Sequence, residues 1–310
     1  MRYATLAPSS HNTQCWKFRV EDRSISVSPD LSRRCPAVDP DDHHLFVSIG
    51  CAIENLVQAA LAYGLHGNAF FDSSSGEALR LSLEPTKAVA SALFNAIPER
   101  QSTRGEYDGK PISSNELAML ERAGTGNAVQ VVLLDERAAM ERVLEYVIQG
   151  NTAQMNDRAF VEELKAWIRF SGSDAVRTGD GLYSGSSGNP SVPAWLGTLL
   201  FGFFFTPKSE NDKYAKHVRS SSGIAVFVSE TESPAQWIEV GRCYERFALQ
   251  STALGIRNAM LNQPVEVTEL RQQFATFLGF GGRRPDLVVR FGRGQKLPPS
   301  LRRPIEAVLT

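Results

Sequence analysis

Hydrophobic and polar positions change period several times along the chain, and each change predicts an element. Lys17-Phe18-Arg19-Val20 and Ser24-Ile25-Ser26-Val27 alternate on either side of Glu21-Asp22-Arg23, which predicts a β-hairpin. Phe46, Ile49, Ile53, Leu56, Val57, Ala60 and Leu61 then recur at helical spacing, and Gly64 closes the run. Ser113-x-x-Glu116 is a capping box for a helix that stops near Gly124, with a strand predicted over 129–134. Ser233-Pro234-x-Gln236 combines an N-cap, a proline at the first helical position and a capping-box glutamine. The helix it opens carries Trp237, Val240, Tyr244, Phe247, Ala248 and Leu254 and ends at Gly255. Strands over 224–229 and 286–291 bracket this helix and another near 268–278. The mixture predicts an α+β fold.

Residues 150–218 follow a different pattern. Met155, Phe160, Leu164, Trp167 and Ile168 predict a helix. A Ser/Gly-rich stretch then leads to the apolar run "AWLGTLLFGFFF", which holds Trp195, Phe201, Phe203, Phe204 and Phe205. That run is about half of the ~20 residues a membrane-crossing helix needs, so no membrane span is predicted. The whole segment reads as an insertion able to act as a lid.

A faint duplication underlies the pattern. "GCAIENLVQAALAYGL" from Gly50 can be laid over "GRCYERFALQSTALGI" from Gly241, with paired glycines at both ends and Glu54 matching Glu245. "ATLAPSSHNTQCWKFRV" and "ERAGTGNAVQVVLL" hold comparable places ahead of these helices, the second without the serines and tryptophan. The expectation is a first unit over 1–95 and a second over 96–310, like a dimer fused into one chain.

Composition narrows the classes. The 310 residues are 42% hydrophobic and 22% charged, with 33 Lys+Arg against 34 Asp+Glu. That balance, with basic residues dispersed among acids, predicts no nucleic-acid partner. Cys15, Cys35, Cys51 and Cys243 show no metal-type spacing and no disulfide framework. The opening "MRYATLA" reads as the end of a helix, which implies an upstream segment and any targeting signal it carries.

Candidate chemistry begins at "APSSHNTQCW". Two serines beside a histidine invite a hydrolase, but there is no G-x-S-x-G elbow, and adjacent residues cannot readily pair an imidazole with a neighbouring hydroxyl. The run Asp39-Pro40-Asp41-Asp42-His43-His44 looks metal-like, yet it directly precedes a helix, where acids favour the N-terminus. It reads as a solvated helix start, and no metal is predicted. Gly124-Thr125-Gly126 lacks the third glycine of a dinucleotide fingerprint. Arg100, Ser102 and Arg104 alternate, so extended backbone points all three to one side, which suits a phosphate monoester, although taken alone the segment reads first as a solvated basic turn. Arg302 and Arg303 add a second basic pair near the C-terminus.

Together these segments resemble the nitroreductase family of FMN-dependent oxidoreductases, and more closely its Acg-like branch. "APSSHNTQCW" is similar to the family's PSS-x-N-x-Q-P-W segment, with Cys15 in the place of the proline. "RQSTR" resembles its R-x-S-x-R motif. "WIEVGRCYERFALQSTALGIRNAMLNQPVEVTELR" and "RFGRG…LRRPIE" resemble the branch's helix, turn and arginine tail.

The resemblance implies a nitroreductase-like α+β fold and one FMN per chain, held between two units of an internal pseudo-dimer. Arg100, Ser102 and Arg104, with Arg302 or Arg303, would hold the phosphate and the neighbouring polar edge. Pro8, Ser9, Ser10 and Asn12 would line the ring and ribityl, Gln14 would support that loop, and Asn262 and Gln263 would face N5. The flavin carries the chemistry, so no catalytic side chain is implied. NADH or NADPH would be the reductant, and a small aromatic acceptor the partner. The alternative is a protein that stores FMN beneath its lid. Monomer and homodimer both remain open. Cys15 is expected to be buried and inert.

Overall fold

A computed structural model describes residues 1–72 and 78–310; the side chain of Phe204 lies outside the described residues. The first hairpin forms where alternation predicts it, β1 (Trp16–Glu21) against β2 (Ser24–Pro29). Helix α1 (His43–Ala62) follows, then β3 (Leu65–Asp72) and β4 (Ala78–Pro85), completing an antiparallel sheet in the order β1-β2-β4-β3. A short α2 (Ala92–Ala96) leads to α3 (Ser114–Gly124), whose Ser113–Glu116 capping box is formed in both directions.

The second sheet begins with β5 (Val129–Leu134) and is interrupted by α4 (Arg137–Asn156) and α5 (Arg158–Trp167). The two-residue strands β6 (Ile168–Arg169) and β7 (Leu182–Tyr183) flank α6 (Gly172–Thr178). The apolar α7 (Ala194–Phe204) and α8 (Pro207–Arg219) follow. The sheet resumes with β8 (Gly223–Ser229), α9 (Pro234–Ala253) and β9 (Arg257–Met260). After α10 (Gln263–Glu266) and α11 (Thr268–Phe277), β10 (Arg284–Gly292) completes the antiparallel order β5-β8-β10-β9.

Strands β8 and β10 are buried at every position, because alternate residues face different cores. Ala225, Phe227, Leu287 and Val289 pack toward α1 and α9, whereas Ile224, Val226, Val228 and Val288 pack toward α4 and α11. A strand buried on both faces reads as a continuous apolar run. Helix α1 is likewise apolar nearly all round, which marks a helix enclosed by protein. It is the one described helix long and apolar enough to cross a membrane, but most of it is buried in the core.

The tightest approach is between α1 and α9. Cα of Gly50 packs beside Gly241, and a Cβ at either position would lie 2.0 Å from a backbone carbonyl oxygen of the other helix. The contact is reciprocal: Gly50 meets Ile238 and Gly241 meets Val47, each three residues before the other glycine. Each helix ends where the pattern predicted, with Gly64 and Gly255 in the left-handed conformation at φ +77° and +70°. The C-terminal tail then returns to the first sheet. Val308 accepts the Phe18 N–H at 2.8 Å, and Phe18 accepts the Thr310 N–H at 2.9 Å, covering the β1 edge.

Gly50→Ala and Gly241→Ala should each force the two helices apart and cost about 3 kcal/mol or more of stability. Gly202→Ala on α7, where an added methyl meets nothing within 4 Å, should leave unfolding unchanged or slightly improved. Thermal unfolding of the three variants checks both statements.

Candidate cofactor-binding site

The opening loop is shaped by left-handed backbone at His11, Asn12 and Gln14, with φ of 47°, 54° and 54°. Ser9 Oγ accepts the Gln14 N–H at 2.8 Å, and the Ser10 N–H donates to Ser48 Oγ at 3.2 Å. This fold divides the loop. Pro8, Ser9, Ser10 and His11 line a cavity of about 600 Å³, while Asn12 and Gln14 turn to the other side. There Asn12 Nδ2 donates to the carbonyls of Gly181 and Leu301 at 3.0 and 3.1 Å. Gln14 Nε2 donates to Gly179 O at 2.9 Å, and its Oε1 accepts the Arg303 N–H at 2.9 Å. The two amides thus join the opening loop, the 179–181 turn and the C-terminal tail.

The arginine segment is divided in the same way. Thr103 N–H donates to Asn258 O at 2.9 Å, fixing the segment beside β9. Ser102 and Arg104 line the cavity. Arg100 does not join them, contrary to the expectation from alternation. Its guanidinium turns into the core, where Nη2 donates to Leu6 O at 3.0 Å and Nε lies 3.4 Å from Glu245 Oε1. Burial raises the Glu245 pKa to about 7, against the pull of Arg100. A buried carboxyl therefore takes the charge that sequence reasoning assigned to a phosphate.

Arg290 of β10 clamps the same segment from behind, donating to Thr103 O at 3.2 Å and Gly105 O at 2.7 Å. Arg104, between those two residues, makes no hydrogen bond or ion pair among the described residues. Burial lowers its pKa, against the pull of Tyr214, Tyr244 and Tyr107.

Asn262 and Gln263 supply a further wall. Gly150 lets α4 pack closely there, since a Cβ would sit 2.7 Å from Gln263 O. Gln263 Nε2 donates to Tyr214 Oη at 2.6 Å, and its Oε1 is buried without a partner. Arg302 and Arg303 stay behind the opening loop. Arg302 donates to Leu6 O, Ala7 O and Asn12 Oδ1 at 3.0–3.2 Å, and burial holds its pKa down to about 9. Arg303 donates to Ala307 O at 3.0 Å. The tail locks the loop in place and adds no residue to the cavity wall.

The roof comes from 150–218. Phe160, Phe170, Leu200, Phe201 and Phe205 give it an apolar inner surface, with Phe201 stacked on Phe205 at 4.7 Å. The insertion's aromatics do not act together, for Trp195 and Phe203 face outward at 70% and 76% exposure. The roof is tied down by the Arg33–Asp180 ion pair and by Glu163, which accepts the N–H groups of Ala37 and Val38 at 2.9 and 3.1 Å.

The Asp39–His44 run is not a solvated helix start. Asp39, His43 and His44 are all buried. Asp39 reaches forward to cap α1, accepting the N–H groups of His44 and Leu45 at 3.0 and 2.9 Å. These are two of the donors that a helix N-terminus leaves free. His43 Nε2 pairs with Asp286 at 2.9 Å, and His44 lines the cavity. One ligand atom from each of the three lies within 4.8 Å of the others; Asp39 is taken up by the first turn of α1 and His43 Nε2 by Asp286, while His43 Nδ1 is buried without a partner. His44, Glu266, Tyr214 and Arg290 are cavity residues that sequence reasoning missed. The paired histidines at a helix start were the available signal for His44; Glu266 and Arg290 lie within the segments NQPVE and RFGRG but were given no role, and no local pattern marked Tyr214.

Cys15 is buried, and its pKa is pushed up to about 12 by that burial. At about pH 8, iodoacetamide should leave it unmodified in the folded protein and label it only in denaturant. Gln14→Ala should leave buried partners unpaired and cost about 1–3 kcal/mol. Amide exchange should quicken at Arg303, whose N–H it releases.

No family model matches this chain. Two relatives from Mycobacterium tuberculosis align along almost all of it. Rv3131, an NAD(P)H nitroreductase by name, is 28% identical over 320 residues, spanning 99% of this chain and 88% of the relative. Acg, also an NAD(P)H nitroreductase by name, is 22% identical over 323 residues, spanning 99% and 93%. Among solved structures, a nitroreductase with bound FMN from Desulfitobacterium hafniense covers 72% of this chain and 98% of its own, at 16% identity and a TM-score of 0.46. The FMN-dependent nitroreductase NfnB from Mycobacterium smegmatis, in complex with NADPH, covers 66% and 88%, at 16% identity and a TM-score of 0.41. Along almost its whole length, the chain is similar to proteins named as NAD(P)H nitroreductases, Acg among them.

Proposed function

We propose that this protein binds one FMN per chain in the 600 Å³ cavity and is an FMN-dependent oxidoreductase of nitroreductase type. The observation that carries the reading is Arg104, an unpaired guanidinium beside Ser102, facing a cavity walled by Pro8-Ser9-Ser10 and the Asn262–Gln263 turn. A partly buried cation without a counter-charge favours an anionic group. The buried, partnerless Gln263 Oε1 and His11 Nδ1 are further groups that a polar ligand edge would satisfy. The volume falls within the range of cofactor pockets.

In this arrangement Arg104 and Ser102 would hold the phosphate end or the neighbouring polar edge. The opening loop would line one side of the ring, and the Asn262–Gln263 turn would present backbone N–H groups to the other. Bound FMN supplies the electron and hydride chemistry. His11 stays neutral near pH 7, since burial lowers its pKa to about 4, so it acts as a hydrogen-bonding group there and adds no charge. Asn12, Gln14, Arg100, Arg302 and Arg303 act one layer back, by holding the loop that lines the cavity. The reciprocal glycine crossing supports a two-unit organisation over 1–95 and 96–310, with 150–218 as the lid.

NADH or NADPH is the expected reductant, and a flat aromatic or quinone-like molecule is the expected acceptor. A second reading, FMN storage, is favoured by the roof: Asp180, Gly179 and Gly181 are stitched to Arg33, Gln14 and Asn12.

Titration with FMN should give one site per chain. Arg104→Ala should weaken binding by about ten- to a hundredfold, the worth of a charge-assisted hydrogen bond. Unchanged affinity would remove the phosphate-end assignment. Arg100→Ala should instead lower thermal stability, because it strips buried Glu245 of its counter-charge. Anaerobic mixing of loaded protein with NADH and NADPH separates the two readings: bleaching of the flavin supports the reductase, and persistent colour with both supports storage.

A further inference from the structure

His44 sits where the first and second sheets' elements meet at the cavity, and its contacts determine its tautomer. Asn262 Oδ1 accepts the buried Val288 N–H at 3.0 Å, which orients the amide and leaves Nδ2 facing His44 Nε2 at 3.3 Å. An amide nitrogen can only donate, so Nε2 must accept. The ring proton then lies on Nδ1, which is 3.4 Å from Asp39 Oδ1. Asp39 is itself fixed by the first-turn N–H groups of α1. A continuous path thus runs from the start of α1, through Asp39, His44 and Asn262, into β10.

We propose that His44 is a positioning residue: its neutral ring, held by Asp39, anchors the Asn262–Gln263 turn at the cavity wall, and its protonated form releases that turn. A second proton on His44 would place an N–H against the Asn262 NH₂. Rotating the amide to restore that contact would leave the Val288 N–H without its acceptor, at the cost of a buried unpaired donor. No tight compromise exists for the three groups together.

The surrounding charges place this equilibrium within reach of ordinary pH. Burial disfavours the imidazolium, but the Asp39 hydrogen bond and charge, with Glu266 of α10, outweigh it and raise the His44 pKa. Arg284 of β10 opposes protonation. Asp286 of β10 favours the cation when ionised, while burial keeps His43 of α1 and His11 of the opening loop neutral, so neither sets a charge against it near neutral pH. The turn is therefore held above the His44 pKa and released below it. The hydrogen-bond path stands on its own, while its effect on FMN rests on the function proposed above.

The test uses the full chain, first without added FMN. Long-range ¹H–¹⁵N spectra of histidine-labelled protein, taken from about pH 5 to about pH 9, report tautomer and titration. The expected result is the Nδ1–H tautomer at the alkaline end, with the Asn262 side-chain amide shifting at the same midpoint. Asp39→Asn should lower that midpoint. An Nε2–H tautomer at high pH, or an Asn262 amide indifferent to the titration, overturns the proposal.

FMN is then added at both ends of the pH range. Wild-type affinity should fall by about three- to tenfold as His44 protonates, the worth of one net hydrogen bond. His44→Gln, whose Oε1 can accept from Asn262 but does not titrate, should lose the part of the pH dependence centred on the His44 midpoint and keep only that of the FMN phosphate and the remaining acids. A component at the His44 midpoint that survives in His44→Gln overturns the role of His44. Failure to bind FMN at any pH, with the tautomer and coupling as expected, removes the proposed function and leaves the hydrogen-bond path intact.

Discussion

The approach of Gly50 to Gly241 is the constraint on which the rest of the molecule depends. Two helices touch backbone to backbone there, each glycine against a carbonyl of the other. Any side chain would separate them by ångströms, and protein interiors do not absorb such a shift without losing contacts elsewhere. The crossing sets where α1 begins relative to the second sheet. It therefore sets where Asp39, His44 and the opening loop meet Arg104 and Asn262. The cavity is a consequence of two sheets held at one separation.

Polar side chains around that cavity fall into two layers. Ser9, Ser10, Ser102, Arg104, Asn262 and Gln263 line it. Asn12, Gln14, Arg100 and Arg302 lie behind, with donors directed to backbone carbonyls, and Arg290 reaches the cavity wall while doing the same. Arginine suits that second role, because its fork can satisfy several carbonyls of an irregular loop at once. Arg290 holds the carbonyls on both sides of Arg104 and so leaves the Arg104 guanidinium free to face the cavity. The supporting layer makes the exposed one possible.

Much of the framework was legible along the chain. Alternation at 17–27 gave the first hairpin, the Ser113 and Ser233 caps marked two helix starts, and Gly64 and Gly255 marked two ends. These are local effects, decided by backbone geometry and nearest neighbours. The segment 150–218, which roofs the cavity, was legible as a change of pattern, but the placement of its aromatics was not. Phe201 turns inward and Phe203 outward because they lie on different faces of α7, and only packing identifies the covered face.

The sequence by itself determined the elements, their order and the residue types available to a polar ligand, since propensity, capping and period act over a few residues. Tertiary structure alone decided which of those residues reach the cavity. Arg100 and Arg104 share a motif, but buried Glu245 captures one and leaves the other unpaired. Asp39 and His44 read as a solvated helix start until the fold enclosed them against Asn262. Side-chain charge is written in the chain, whereas the partner that neutralises it is brought from more than a hundred residues away.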